Sequence, residues 1–251
     1  MSPAPSPSPG RVRPWLVVGD LVVAAMWVCA GALVKLAVYG VLGLGGRPEA
    51  DAVKVALSLV YMFFFAWLEG FTGGASYNPL TVLAGALASG GGPSLYLFTA
   101  FVRIPAQVFG SIIGVKLIRA ALPKVGKGAR LSVGVHHGAL AEGLATFMVV
   151  IVSVTLKKKG MKGFFMKTWI SSIWKMTLHI LSSDITGGVM NPASAFAWAY
   201  ARGDHTTFDH LLVYWLAPLQ ATLLGVWVVT SLTKPKKIKE EEADESKTKK
   251  E

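Results

Sequence analysis

Long apolar runs separated by short polar clusters set the character of the chain. The first run, Trp15 to Val34, carries one charge, Asp20. It is long enough to cross the roughly 30 Å hydrocarbon core of a bilayer, which takes about 20 apolar residues in a helix. Five further runs follow at about 52–69, 94–118, 138–156, 164–183 and 210–231, each bounded by Gly, Pro or charged clusters. The pattern predicts an all-α membrane protein with six transmembrane helices.

Two of the connections are too apolar and too alike to be ordinary loops. One reads Thr72-Gly-Gly-Ala-Ser-Tyr-Asn78-Pro79-Leu80, the other Thr186-Gly-Gly-Val-Met-Asn191-Pro192-Ala193. Asn is a good N-cap and Pro is favoured at the first helical position, so each connection should start a helix at its Asn-Pro. The runs Pro79–Ala88 and Pro192–Ala201 would make about 15 Å of helix each, half a bilayer. Asp20 in the first span and Glu142 in the fourth each open a three-span half, and each half carries one Asn-Pro segment after its second span. Three spans per half force the second half to be inverted relative to the first. Inverted repeats with broken helices place a polar site near the midplane, with the positive ends of the half-helices directed at it. Irregular backbone at that depth persists only where it is buried or lines water, which implies a pore.

Composition narrows the partners. With 53% hydrophobic and 16% charged residues the chain is too apolar for a soluble domain. The net charge of +11 raises the question of nucleic acid, but the excess lies in short loops beside spans. Lys157, Lys158, Lys159 and Lys162 share one loop, and Arg119, Lys124, Lys127 and Arg130 another. Such placement points to membrane orientation and lipid contact, and no nucleic-acid partner is expected. Placing both termini in the cytosol puts eleven Lys and Arg on that side against seven opposite; the basic 119–130 loop counts against it. The lone Cys29 sits within the first span and cannot form an intrachain disulfide.

The paired Asn-Pro boxes, with Asp20 and Glu142 at matching places, resemble the major intrinsic protein (aquaporin) family over residues of about 15 to 232. The Asn-Pro-Leu first box and the stretches Phe101–Pro105, His136–Leu140 and Trp198–Gly203 are most similar to the second subgroup of the plant small basic intrinsic proteins. The resemblance implies six transmembrane helices plus two re-entrant half-helices in an aquaporin-like inverted repeat. The channel domain would span 14–232, with halves of about 14–120 and 135–232, between disordered tails at 1–13 and 233–251. Asn78, Pro79, Leu80, Asn191, Pro192 and Ala193 would line the pore, and Asp20 and Glu142 would hold the irregular backbone from behind. The selectivity constriction would fall on Ser58, His179, Gly188 and Ser194. Ser194 stands where water-selective members carry Arg, so the constriction should be wider and less cationic; Leu80 in place of the usual Ala adds bulk beside the midplane.

The resemblance further implies a passive channel for water or small neutral solutes, a homotetramer, and residence in the endoplasmic reticulum. Lys247 and Lys249 near the C-terminus match the lysine signal read by coat proteins. The alternative is a non-conducting component of that membrane, acting through its tails or oligomer surface. An enzyme built on His179 with Asp184, or on His136-His137, is disfavoured because no nucleophile or metal-ligand set recurs at a suitable spacing. No catalytic residue, metal or cofactor is expected. Of the remaining polar residues in spans, Arg103 and Gln107 are expected to pack against neighbouring helices. Lys175, one turn before His179, either shares the lumen side or pairs with a buried carboxylate such as Glu142. The penalty on an unpaired ammonium at that depth favours pairing. Gly110 and Gly114 fit a close helix contact.

Overall fold

The computed structural model describes residues 12–123, 126–160 and 163–233. Most of the expected tails, together with Lys124, Lys162, Lys247 and Lys249, lie outside them. All regular structure among the described residues is helical.

The first span, α1, covers Leu16–Lys35 and continues as a π-helical turn over Leu36–Val41. It outruns the expected Val34 because Leu36-Ala-Val-Tyr-Gly-Val keeps the apolar run going past Lys35. The second, α2, covers Glu49–Phe71, starting at Pro48 with Glu49 and Asp51 in a first turn whose dipole favours acidic groups. The half-helix α3 covers Pro79–Ala88. The third span runs Gly92–Ala121, as α4 (Gly92–Phe98), a π turn over Thr99–Arg103, and α5 (Ile104–Ala121).

The second half repeats this order. It comprises α6 (Val135–Lys158), α7 (Phe164–Ser182) and the half-helix α8 (Pro192–Arg202). The last span is α9 (Phe208–Leu211), a π turn over Leu212–Leu216, and α10 (Ala217–Leu232). Both π turns precede a proline, Pro105 or Pro218, at the same remove. A proline lacks an N–H and crowds the carbonyl four residues back, and widening the preceding turn relieves both faults. α8 ends one residue later than expected because Gly203 adopts φ 91° and closes it with a left-handed cap.

Five of the spans are long and apolar enough to cross a membrane by length and composition alone. The sixth, α7, has 19 residues, about 28 Å of helix. It is less apolar because Thr168, Ser172, Lys175, His179 and Ser182 recur at alternating steps of four and three residues. That spacing puts them on one face, and Thr168, Ser172 and Ser182 are buried in the bundle.

Packing follows the inverted symmetry. α1 lies along α5, and α6 along α10; α3 packs on α10 and α8 on α5, so each half-helix rests on the third span of the other half. The α1–α5 contact depends on glycine. A Cβ at Gly110 would collide with the Leu21 carbonyl, and one at Gly114 would lie 2.6 Å from the Ala25 oxygen. On the remaining side α1 borders α2, α2 borders α7, and α7 borders α6.

Candidate functional site

Each Thr-Gly-Gly segment is a turn that its threonine and glycines build together. Gly73, Gly74, Gly187 and Gly188 all have positive φ, at 70°, 120°, 86° and 55°, a region open to Gly at little cost. Thr72 Oγ1 accepts from Ala75 N at 3.1 Å, and Thr186 Oγ1 accepts from Gly188 N at 3.2 Å. The chain is thereby turned back into the bundle and delivers an asparagine to the start of each half-helix.

The two asparagines do the same local work. Asn78 Oδ1 accepts from Leu80 N at 3.0 Å, capping α3, and Asn191 Oδ1 accepts from Ser194 N at 3.3 Å, capping α8. Their amide nitrogens reach across to the opposite segment. Asn78 Nδ2 donates to Met190 O at 2.8 Å, and Asn191 Nδ2 donates to Tyr77 O at 3.3 Å. Each acceptor is the residue just before the partner asparagine, so the two half-helix N-termini meet head to head. Pro79, Leu80, Pro192 and Ala193 are buried around this junction.

The carboxylates stand behind it, with different partners. Glu142, almost fully buried, accepts from Val189 N and Met190 N, both at 2.9 Å, and from Thr186 Oγ1 at 2.6 Å. Asp20 accepts only Ser76 N from its segment, at 2.7 Å. Arg103 takes the rest: its Nε donates to Asp20 Oδ2 at 2.6 Å and its Nη2 to Oδ1 at 2.8 Å. The same Nη2 also donates to Gly74 O at 2.7 Å. Arg103 is therefore an ion-pair partner rather than the simple packing residue expected. Lys175 does not pair with Glu142, whose oxygens are taken up by Thr186 and the backbone of 189–190.

Of the four expected constriction residues, two touch directly. His179 Nδ1 lies 3.0 Å from Gly188 O, and a Cβ on Gly188 would sit 2.5 Å from the His179 carbonyl. Ser194 is held by the second box, its Oγ accepting from Asn191 Nδ2 at 3.0 Å. Ser58 is buried on α2, and no hydrogen bond among the described residues joins it to the other three. His136 and His137 open α6.

Two contributors escaped the sequence reading. Met190 has φ 45°, the one non-glycine with positive φ among the described residues; its N–H goes to Glu142 while its C=O accepts Asn78. Tyr77 stacks on Trp27 with ring centroids 3.7 Å apart and planes 4° from parallel, while Tyr61 and Phe65 meet Trp27 edge-on. This aromatic cluster fixes the residue whose carbonyl receives Asn191. Aromatic residues recur in the second span, but nothing local shows which of them would stack. A cavity of about 210 Å³ lies beside α3, bordered by Arg13, Glu69, Thr81, Arg103 and Lys157.

An inverted pair of three-span halves, whose half-helices meet at capping asparagines, defines a polytopic membrane protein of the channel class. The model of the major intrinsic protein family matches residues 16–229. The chain is 94% identical over 251 residues to Aquaporin SIP2-1 of Oryza sativa subsp. japonica, covering all of both chains. It is 81% identical over 248 residues to Aquaporin SIP2-1 of Zea mays, covering 99% of this chain and all of the relative. With Probable aquaporin SIP2-1 of Arabidopsis thaliana the identity is 52% over 227 residues, covering 90% and 94% of the two chains. The chain belongs to the major intrinsic protein (aquaporin) family, in the second subgroup of its small basic intrinsic proteins. It is a membrane channel protein and not an enzyme.

Proposed function

We propose that the chain conducts water and other small neutral solutes passively, through a lumen whose waist is formed by Asn78 and Asn191. The observation that carries this reading is the crossed pair of hydrogen bonds, Asn78 to Met190 and Asn191 to Tyr77. It supports two helix N-termini converging inside the bilayer, where exposed polar backbone persists only beside water. Opposed positive dipole ends would repel cations there while tolerating a neutral dipole. Ser58, His179, Gly188 and Ser194 would form the constriction, widened by three small residues and by the absence of Arg at position 194.

The asparagines are unequal as lumen donors. Asn191 spends one N–H on Tyr77 and the other on Ser194, whereas Asn78 has one protein acceptor, leaving a second N–H for a permeant. The occupation of both Asn191 N–H groups by protein acceptors favours a second reading, a non-conducting component of the endoplasmic reticulum membrane that acts through its tails or oligomer surface. Residence in that membrane with both termini cytosolic, coat-protein recognition of Lys247 and Lys249, and a homotetramer with one pore per subunit belong to the first reading as well.

Purified protein in liposomes decides between them. Stopped-flow light scattering with water, urea, glycerol and hydrogen peroxide should show at least one flux well above that of empty vesicles. Fluxes equal to those of empty vesicles throughout would favour the second reading.

A further inference from the structure

The inward face of α7 carries a charge that neither the paired boxes nor the constriction accounts for. Lys175 lies between Ser172 and His179 on the polar stripe and is half-buried. Among the described residues no carboxylate forms a salt bridge with it, although the three ion pairs present include one inside a span. Glu142, which faces the same interior, is occupied by Thr186, Val189 and Met190. Glu69 in the last turn of α2 and Lys157 in the last turn of α6 both border the cavity beside α3. These sit on the two helices that flank α7. One turn further along α7, His179 is engaged with Gly188. An ammonium in a membrane interior without a carboxylate at hydrogen-bonding distance is costly unless it faces a polar or water-filled space.

We propose that the Lys175 ammonium stands in the lumen and supplies the fixed positive charge that bars cations from a pore lacking Arg at position 194. This inference rests on the channel reading. Ser194 contributes a hydroxyl to Asn191 and no charge, so without Lys175 the barrier would be left to the half-helix dipoles. A fixed charge within a narrow, poorly screened passage repels like charges far more strongly than one on an open surface. Neutral permeants pay little for passing it.

Two measurements on the full chain in liposomes test this. The first replaces Lys175 by Cys in a Cys29→Ser background and adds a membrane-impermeant, water-soluble methanethiosulfonate. The cysteine should react in the folded protein, and blockage by the adduct should reduce neutral flux. A cysteine that reacts only after denaturation would place position 175 away from water and overturn the proposal. The second compares Lys175→Met and Lys175→Arg for neutral-solute flux and for potassium and proton leak. Lys175→Met should raise cation leak about tenfold or more while neutral flux persists, and Lys175→Arg should stay at the wild-type leak. Neutral flux with no added leak in Lys175→Met would overturn the barrier. Absence of neutral flux in the wild type would instead overturn the channel reading, and the barrier with it.

Discussion

Arg103 holds both carboxylate oxygens of Asp20, at 2.6 and 2.8 Å, with Asp20 fully buried and the Arg103 side chain 11% exposed. The pair belongs to one half of the repeat only. At the matching place before the second proline stands Leu216, and Glu142 is satisfied by Thr186 and backbone N–H groups alone. The shorter aspartate reaches one backbone N–H and needs a cation; the longer glutamate reaches two.

Removing the guanidinium should therefore be severe. Arg103→Leu strands a buried carboxylate and should cost about 3–5 kcal/mol, the usual penalty for breaking one member of a buried pair. Arg103→Lys should recover part of it, since a single ammonium cannot reproduce the two-pronged contact. Asp20→Asn combined with Arg103→Leu should be milder than Arg103→Leu alone. Thermal unfolding of the detergent-purified variants measures all three, and an unchanged midpoint for Arg103→Leu would contradict the assignment.

The α1–α5 contact makes its own prediction. Gly114→Val adds a branched side chain where even a Cβ would be 2.6 Å from the Ala25 carbonyl. The helices must separate, at about 1–3 kcal/mol or more for an overpacked contact. The expected outcome is a lower yield of monodisperse protein on size exclusion. By contrast Gly31→Ala, with nothing near its Cβ, should behave as the wild type.

At position 194 the structure sharpens the expectation from sequence. Ser194→Arg would put a bulky cation at the proposed constriction and also remove the hydroxyl that accepts from Asn191 at 3.0 Å. Flux of glycerol-sized solutes should fall several-fold with the protein still assembled. Ser194→Ala removes only the hydroxyl, frees the Asn191 N–H that it accepted, and should cost about 1 kcal/mol of stability. Equal solute flux in wild type and Ser194→Arg would show that position 194 does not border the path.

How much of this was legible in the sequence follows from how local each feature is. The half-helices could be read because capping by Asn and a first-turn Pro involves adjacent residues, and Asn78 and Asn191 do cap as those residues suggest. The repeat was legible because two Thr-Gly-Gly…Asn-Pro strings share one pattern. The Asp20–Arg103 pair was not, because 83 residues separate its members, and only the packing of α1 against α5 brings them together. For Lys175, the pairing with a buried carboxylate expected from sequence is not found: among the described residues no carboxylate forms a salt bridge with it. The expected partner, Glu142, has both oxygens taken by Thr186 and the segment's own backbone, contacts that only the folded chain brings together. The π turns were missed because an apolar run has the same composition whether its turn is α or π.

The crossed contacts between the two boxes are the claim on which the rest depends. Asn78→Ala with Asn191→Ala removes two caps, each worth about 0.5–2 kcal/mol, and both amide bridges between the half-helices. The most direct measurement is osmotic water permeability of wild type and double variant, reconstituted side by side at equal protein density. The account expects wild-type vesicles to shrink faster than empty ones, and the variant to lose most of that gain while still inserting as a helical protein. A folded double variant that conducts as well as the wild type would contradict it.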